Sequence, residues 1–183
     1  MNTRKICLAT AVVAAIAAPA AAGTPVFEAF RKVCGDTHAD YASIVSALNT
    51  NGWKQVDTKG STMEGVKVTD SISRGLTVGE SHLTLFAWRG AKGDVQISAC
   101  TVRASPAKSD PLKADARTWT GFDPQSVDAQ SGRIGYQFTD DADAHRALAK
   151  TDYDAAAAGA GLELMTLSTD GSDTILDLLK IKK

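Results

Sequence analysis

Few residues of this chain are equipped for chemistry. The 183-residue sequence holds three histidines and three cysteines, and its acids gather in short clusters. Asp36-x-His38-x-Asp40 sets three metal-capable side chains close together. Residues two apart do not face each other on a helix, so these would converge only in a loop; capping and a solvated first turn account for the pattern. Asp140-Asp141-x-Asp143-x-His145 is the densest polar cluster. Its carboxylates suit a hard cation and its imidazole a transition metal, but the helix dipole also favours acids at a helix N-terminus without any ligand. Asp170-Gly171-Ser172-Asp173 lacks the D-x-D-x-D-G spacing and closing Glu of a calcium loop, and reads as a hairpin turn. These patterns call for no metal and no cofactor.

The best lead for a ligand-binding surface is His82, Phe86 and Trp88, which alternate on one face of an expected strand. They would form an aromatic patch with a titrating group, or else a second buried face beneath a helix. No paired acid or nucleophile lies near them in sequence. No G-x-S-x-G, H-E-x-x-H, Walker loop or G-x-G-x-x-G occurs, so no catalytic residue is assigned.

The N-terminus sets the compartment. Arg4 and Lys5 precede an apolar run from Ile6 to Ala18, and Ala20-Ala21-Ala22 gives an A-x-A pattern before Gly23. This is the layout of a signal peptide spanning 1–22, with a run too short for the ~20 apolar residues of a membrane-spanning helix. A periplasmic or secreted protein of residues 23–183 is expected, with no stable membrane insertion after cleavage. The chain carries 20 basic and 21 acidic residues; losing Arg4 and Lys5 leaves 18 against 21, a net charge of −3. That balance argues against nucleic acid, which asks for a basic surface. Cys7 leaves with the signal. Cys34 and Cys100 remain, and in an oxidising compartment an even pair is expected to form a disulfide.

The elements that must position these groups follow from periodicity. Phe27, Phe30 and Cys34 fall at i, i+3 and i+7, one face of a helix over 26–34. Tyr41, Ile44, Val45 and Leu48 predict a second helix over about 38–50, capped by Asp36 or Thr37 and ended by Asn51-Gly52. Trp53–Asp57 reads as extended. Residues 58–80, rich in Gly, Ser and Thr, read as a mobile loop with a weak strand at Val66 and Val68. Strands at 81–89 and 94–103 flank turn residues Gly90–Gly93. On the second of these, Cys100 and Val102 fall opposite Ile97 and Ala99, so either a bulge intervenes or both faces of the sheet are covered.

A helix follows Ser109-Asp110-Pro111 and closes at Gly121. Ile134, Tyr136 and Phe138 predict a strand, residues 141–150 a helix, and the alanine-rich 155–161 a connector. Leu162–Ser168 and Thr174–Ile181 flank Asp170-Gly171 as a hairpin, with a helix as the alternative for the last segment. The expected class is α+β: an antiparallel sheet of about 5–6 strands with helices packed against it, in one domain.

The layout of Phe27-x-x-Phe30-x-x-x-Cys34, a following helix ending at Gly52-Trp53, and a second cysteine late in a strand resembles small exported periplasmic proteins of Gram-negative bacteria. That resemblance implies no activity. The leading expectation is a non-catalytic binding or accessory protein of the cell envelope, whose partner is an envelope protein or a small-molecule ligand. The alternatives are an inhibitor or immunity-type protein that plugs a partner enzyme with the 58–80 segment, and a small hydrolase using His82 or His145.

Overall fold

The computed structural model describes residues 23–183 apart from 59, 142 and 143. The expected signal peptide, residues 1–22, lies outside the described residues, as does Asp143 of the acidic cluster.

Helix α1 (Pro25–Phe30) opens with Thr24, whose hydroxyl accepts from the Phe27 amide, and with Pro25 in the first turn, where its missing N–H costs nothing. It runs on into a single π-helical stretch, Arg31–Gly35. Helix α2 (Tyr41–Thr50) starts later than the sequence suggests. Its cap is Asp40, which accepts from the Ser43 amide at 2.9 Å, and neither Asp36 nor Thr37 takes that role. The cause is the turn at 36–39, in which His38 and Ala39 both adopt left-handed φ angles of 52° and 51°. Helix α3 (Ser109–Thr120) ends on Gly121 at φ 79°, a left-handed cap that glycine takes without penalty.

Among the described residues nine strands form one antiparallel sheet, more than the 5–6 expected. They are β1 (Lys54–Gln55), β2 (Lys67–Val78), β3 (Ser81–Lys92), β4 (Val95–Ser105), β5 (Ser126–Asp128), β6 (Arg133–Asp141), β7 (Ala144–Ala147), β8 (Leu162–Asp170) and β9 (Asp173–Lys182). Their order is β1-β2-β3-β4-β9-β8-β6-β5, with β7 beside β5 on the outer edge of β6. The excess comes from short edge strands and from β2. Most of the 58–80 stretch is therefore a twelve-residue strand and not a loop. Its side chains are half-exposed, so no apolar alternation announces it, and pairing along β3 is what holds it extended. Gly90 belongs to β3, because a Cβ there would lie 2.5 Å from the Lys67 carbonyl oxygen of β2; the turn shrinks to Gly93-Asp94.

Two further expectations are overturned. Residues 144–147 form β7, not part of a helix, because antiparallel pairing sets His145 opposite Asp140. The alanine-rich connector is helical in part: α4 (Tyr153–Ala158) exploits the high helix propensity of alanine and packs beside Leu148 and Leu162. The C-terminal segment is a strand, hairpinned to β8 as expected.

The sheet is covered on both faces. Helices α1 to α3 lie on one, over rows set by the register: Leu85, Val102, Leu176, Leu167 and Ile134, then Ala87, Cys100, Leu178, Met165 and Tyr136. On the other face Trp88, Ile97 and Ala99 make a smaller cluster. This double cover explains the break in alternation at Cys100, with no bulge needed. Cys34 and Cys100 are both fully buried and form the disulfide, with a Cα–Cα distance of 5.6 Å. The bridge fastens the π-helical stretch to the centre of the sheet.

Candidate functional site

One pleat beyond the row of Ala87, Cys100, Leu178, Met165 and Tyr136, the helix-covered face turns polar. The register aligns Arg89, Ser98, Lys180, Glu163 and Phe138 across β3, β4, β9, β8 and β6. The next row outward brings Asp140 on β6 opposite His145 on β7. The turn at 36–39 crosses above them and lowers His38 onto the pair of acids. The backbone of that turn is tied to the segment bearing the disulfide: Ala39 donates to the Cys34 carbonyl at 2.9 Å, His38 to that of Gly35 at 2.8 Å, and the Thr37 hydroxyl to that of Val33 at 2.6 Å.

Each carboxyl group has one oxygen held by a basic side chain. His145 Nδ1 is 2.7 Å from Asp140 Oδ1. The imidazole of His145 is wedged between Trp119 and Phe138, with ring centroids 4.3 and 4.8 Å away. Trp119 reaches this position over Gly35, where a Cβ would lie 2.9 Å from its ring. Lys180 donates to Glu163 Oε1 at 3.2 Å. On the inner side His38 Nδ1 lies against Asp140 Oδ2 and 3.5 Å from Glu163 Oε1. Yet His38 Nδ1, Asp140 Oδ2 and Glu163 Oε2 are all buried atoms with no partner in hydrogen-bonding geometry among the described residues.

Burial dominates the electrostatics. The Glu163 side chain is only 2% exposed, and loss of solvent, aided by the neighbouring Asp140 charge, raises its pKa to about 8 despite Lys180. For Asp140 burial pushes the same way, but the hydrogen bond from His145 and the nearby imidazoles outweigh it and hold the carboxyl below its ordinary range. Two acids pushed apart in this way mark a candidate functional site, and an unpartnered buried carboxylate oxygen is costly unless something fills the gap.

The cluster opens into a cleft of about 550 Å³ between α2 and the β3-β4-β9 part of the sheet, lined by His38, Asp40, Tyr41, Arg89, Lys180 and Lys182 among others. Arg89 lies 5.3 Å over the Tyr41 ring and pairs with Asp70 at 2.6 Å. Among the described residues neither His38 nor His145 hydrogen-bonds to a hydroxyl or thiol.

The sequence motifs are dispersed and recombined. In Asp36-x-His38-x-Asp40, Asp36 pairs with Arg31 at 3.0 Å, Asp40 caps α2, and only His38 enters the cluster. From the second motif Asp140 and His145 enter it. Glu163 and Lys180 were not anticipated. The available signal was Glu163 itself, an acid at the same strand parity as the core residues Met165 and Leu167. Of the aromatic trio, Phe86 packs against the cluster that holds Trp88, and His82 lies beside Thr77. His82 is exposed and lies 3.2 Å from the Thr77 hydroxyl, while Trp88 is buried against Ile97 and Ala99. Phe86 lines a separate groove of about 440 Å³ with Arg103, Arg133 and Asp177. Among the described residues no helix is long and apolar enough to cross a membrane. No protein-family profile, curated protein or solved structure matches the chain.

Proposed function

We propose that the chain is an exported binding protein of the cell envelope that captures a small charged ligand in the cleft whose lining residues His38 and Lys180 contact Glu163. The observation that carries this reading is the buried Glu163 carboxyl group, which has one oxygen without a partner among the described residues and touches His38 and Lys180 of a cleft lined by charged side chains. A folded chain tolerates such a group where a bound partner completes it. Among the described residues the imidazoles of His38 and His145 contact carboxylates and no nucleophile, which favours binding over acyl transfer. The leader-like N-terminus and the Cys34–Cys100 bridge support a periplasmic or secreted setting.

The test is amide chemical-shift mapping on the mature, oxidised protein, titrated with phosphate, citrate, glutamate and single divalent cations. At least one should saturate and move amides at 37–41, 138–140, 161–164 and 180. Shifts confined to other regions, or turnover of ester, peptide, glycan or phosphate substrates, would refute the binding reading.

A further inference from the structure

We infer that His38, Asp140 and Glu163 form a three-ligand seat for a divalent first-row transition-metal ion of the Zn²⁺ and Co²⁺ kind. This rests on the cleft being the ligand site and names the ligand.

The donor atoms of the three residues lie within 4.8 Å of one another. Acid clusters alone are common, but here a second feature points to a ligand: the Glu163 side chain is 98% buried, and its buried Oε2 has no partner among the described residues. The outer contacts match what a metal centre requires. His145 holds Asp140 by Oδ1 and Lys180 holds Glu163 by Oε1, so the orientation of each carboxyl group is fixed from outside the trio. Groups behind the ligands that fix carboxylate orientation in this way are the usual support of a metal site. The His145 ring is itself clamped by Trp119 and Phe138, which makes the support rigid.

The donor set selects the ion. One imidazole and two carboxylates suit a first-row transition ion; Ca²⁺ asks for six to eight oxygens and Mg²⁺ for near-octahedral oxygen. Two carboxylate charges neutralise the dication, so the completed seat buries no net charge. A tetrahedral Zn²⁺ site has ligand atoms about 3.3 Å apart, from metal–ligand distances of roughly 2.0–2.1 Å. His38, whose side chain is 44% exposed, already lies against Asp140 and 3.5 Å from Glu163, so seating an ion requires its imidazole to swing back slightly from the acids.

The experiment uses untagged, disulfide-intact mature protein stripped with chelator. Co²⁺ titration followed by visible absorption, and Zn²⁺ titration by calorimetry, should both saturate at one equivalent, with Zn²⁺ displacing Co²⁺. Glu163→Gln and His38→Ala should each weaken binding at least about tenfold, and His145→Ala roughly 10–100-fold through its hold on Asp140. His82→Ala should leave binding unchanged. The near-isosteric Glu163→Gln and the surface-lying His38→Ala retain the fold, which circular dichroism verifies. Failure of Zn²⁺ and Co²⁺ to bind, insensitivity to both ligand variants, or equal saturation by Ca²⁺ would overturn the inference. If the metals fail while phosphate, citrate or glutamate moves the cleft amides, the metal seat falls and the binding-protein reading stands. If nothing perturbs the cleft, both fall.

Discussion

Breaking the Cys34–Cys100 bridge should cost the protein a large share of its stability and loosen the turn that carries His38. The bridge joins residues 66 apart. In the chain-entropy treatment, releasing a loop of that length restores unfolded-state freedom of about 4 kcal/mol at 25 °C. Domains are stable by roughly 5–15 kcal/mol, so the reduced chain should sit near the edge of folding. For a chain of this size that corresponds to a fall in Tm of about 8–16 °C. Reduction changes only the crosslink, whereas Cys→Ser would also bury two unpartnered hydroxyls in a fully buried position. The assay is therefore urea unfolding with and without reductant, followed by the fluorescence of the buried Trp53 and Trp88. The reduced curve should shift to lower urea. A shift equivalent to less than about 1 kcal/mol would refute the entropic account. Titratable thiols in the unreduced folded protein would refute the bridge itself. A site-specific consequence follows, because Ala39 and His38 hang on the carbonyls of Cys34 and Gly35: amide exchange at 37–39 should accelerate on reduction more than in the β8–β9 hairpin.

Glu163 makes stability depend on pH in a defined direction. Its pKa is raised on folding, so its contribution is complete below the ordinary glutamate value of 4.5 and is lost as pH climbs through about 8. Chelator-treated wild type should match Glu163→Gln near pH 5 and become the less stable of the two by pH 8.5, in urea melts where Asp140, Lys180, His38 and His145 are common to both; parallel profiles would refute this. Asp140, held low, loses its contribution only in acid below its ordinary value of 3.8, outside that window. Gly90→Ala should cost about 1–3 kcal/mol, since its Cβ would meet the Lys67 backbone, which cannot swing aside as a flexible side chain would; a neutral result in denaturant melts would show that β2 can withdraw. Leu176→Ala, in a fully buried row between Val102 and Leu167, should cost about 2–5 kcal/mol. Arg103→Ala should cost under about 1 kcal/mol, although Arg103 pairs with both Asp170 and Asp173, because the pairs are solvent-screened; a larger loss by the same melts would refute that discount.

Much of the scaffold is legible in local sequence. The stripe of Phe27, Phe30 and Cys34 gave the first helix and the buried face of its cysteine. The turn residues at Asp170-Gly171 gave the last hairpin, and period-two alternation gave β3, β4 and β6. These signals depend on neighbours a few residues apart, so the sequence carries them whole. Strands β2 and β7 were not legible, because half-exposed and edge strands are held by backbone pairing to a partner far along the chain, and pairing leaves little mark on composition. The site shows the same division. Local sequence supplied His38, Asp140 and His145 as chemically capable groups, and each alone had an ordinary explanation. Only antiparallel register across β6, β8 and β9 sets Asp140, Glu163 and Lys180 side by side, and only the left-handed turn at His38, tied beside the disulfide, brings the imidazole down on them. What a residue can do chemically is written in its side chain; which partners it meets is decided by contacts more than a hundred residues distant in the chain, as between His38 and Asp140.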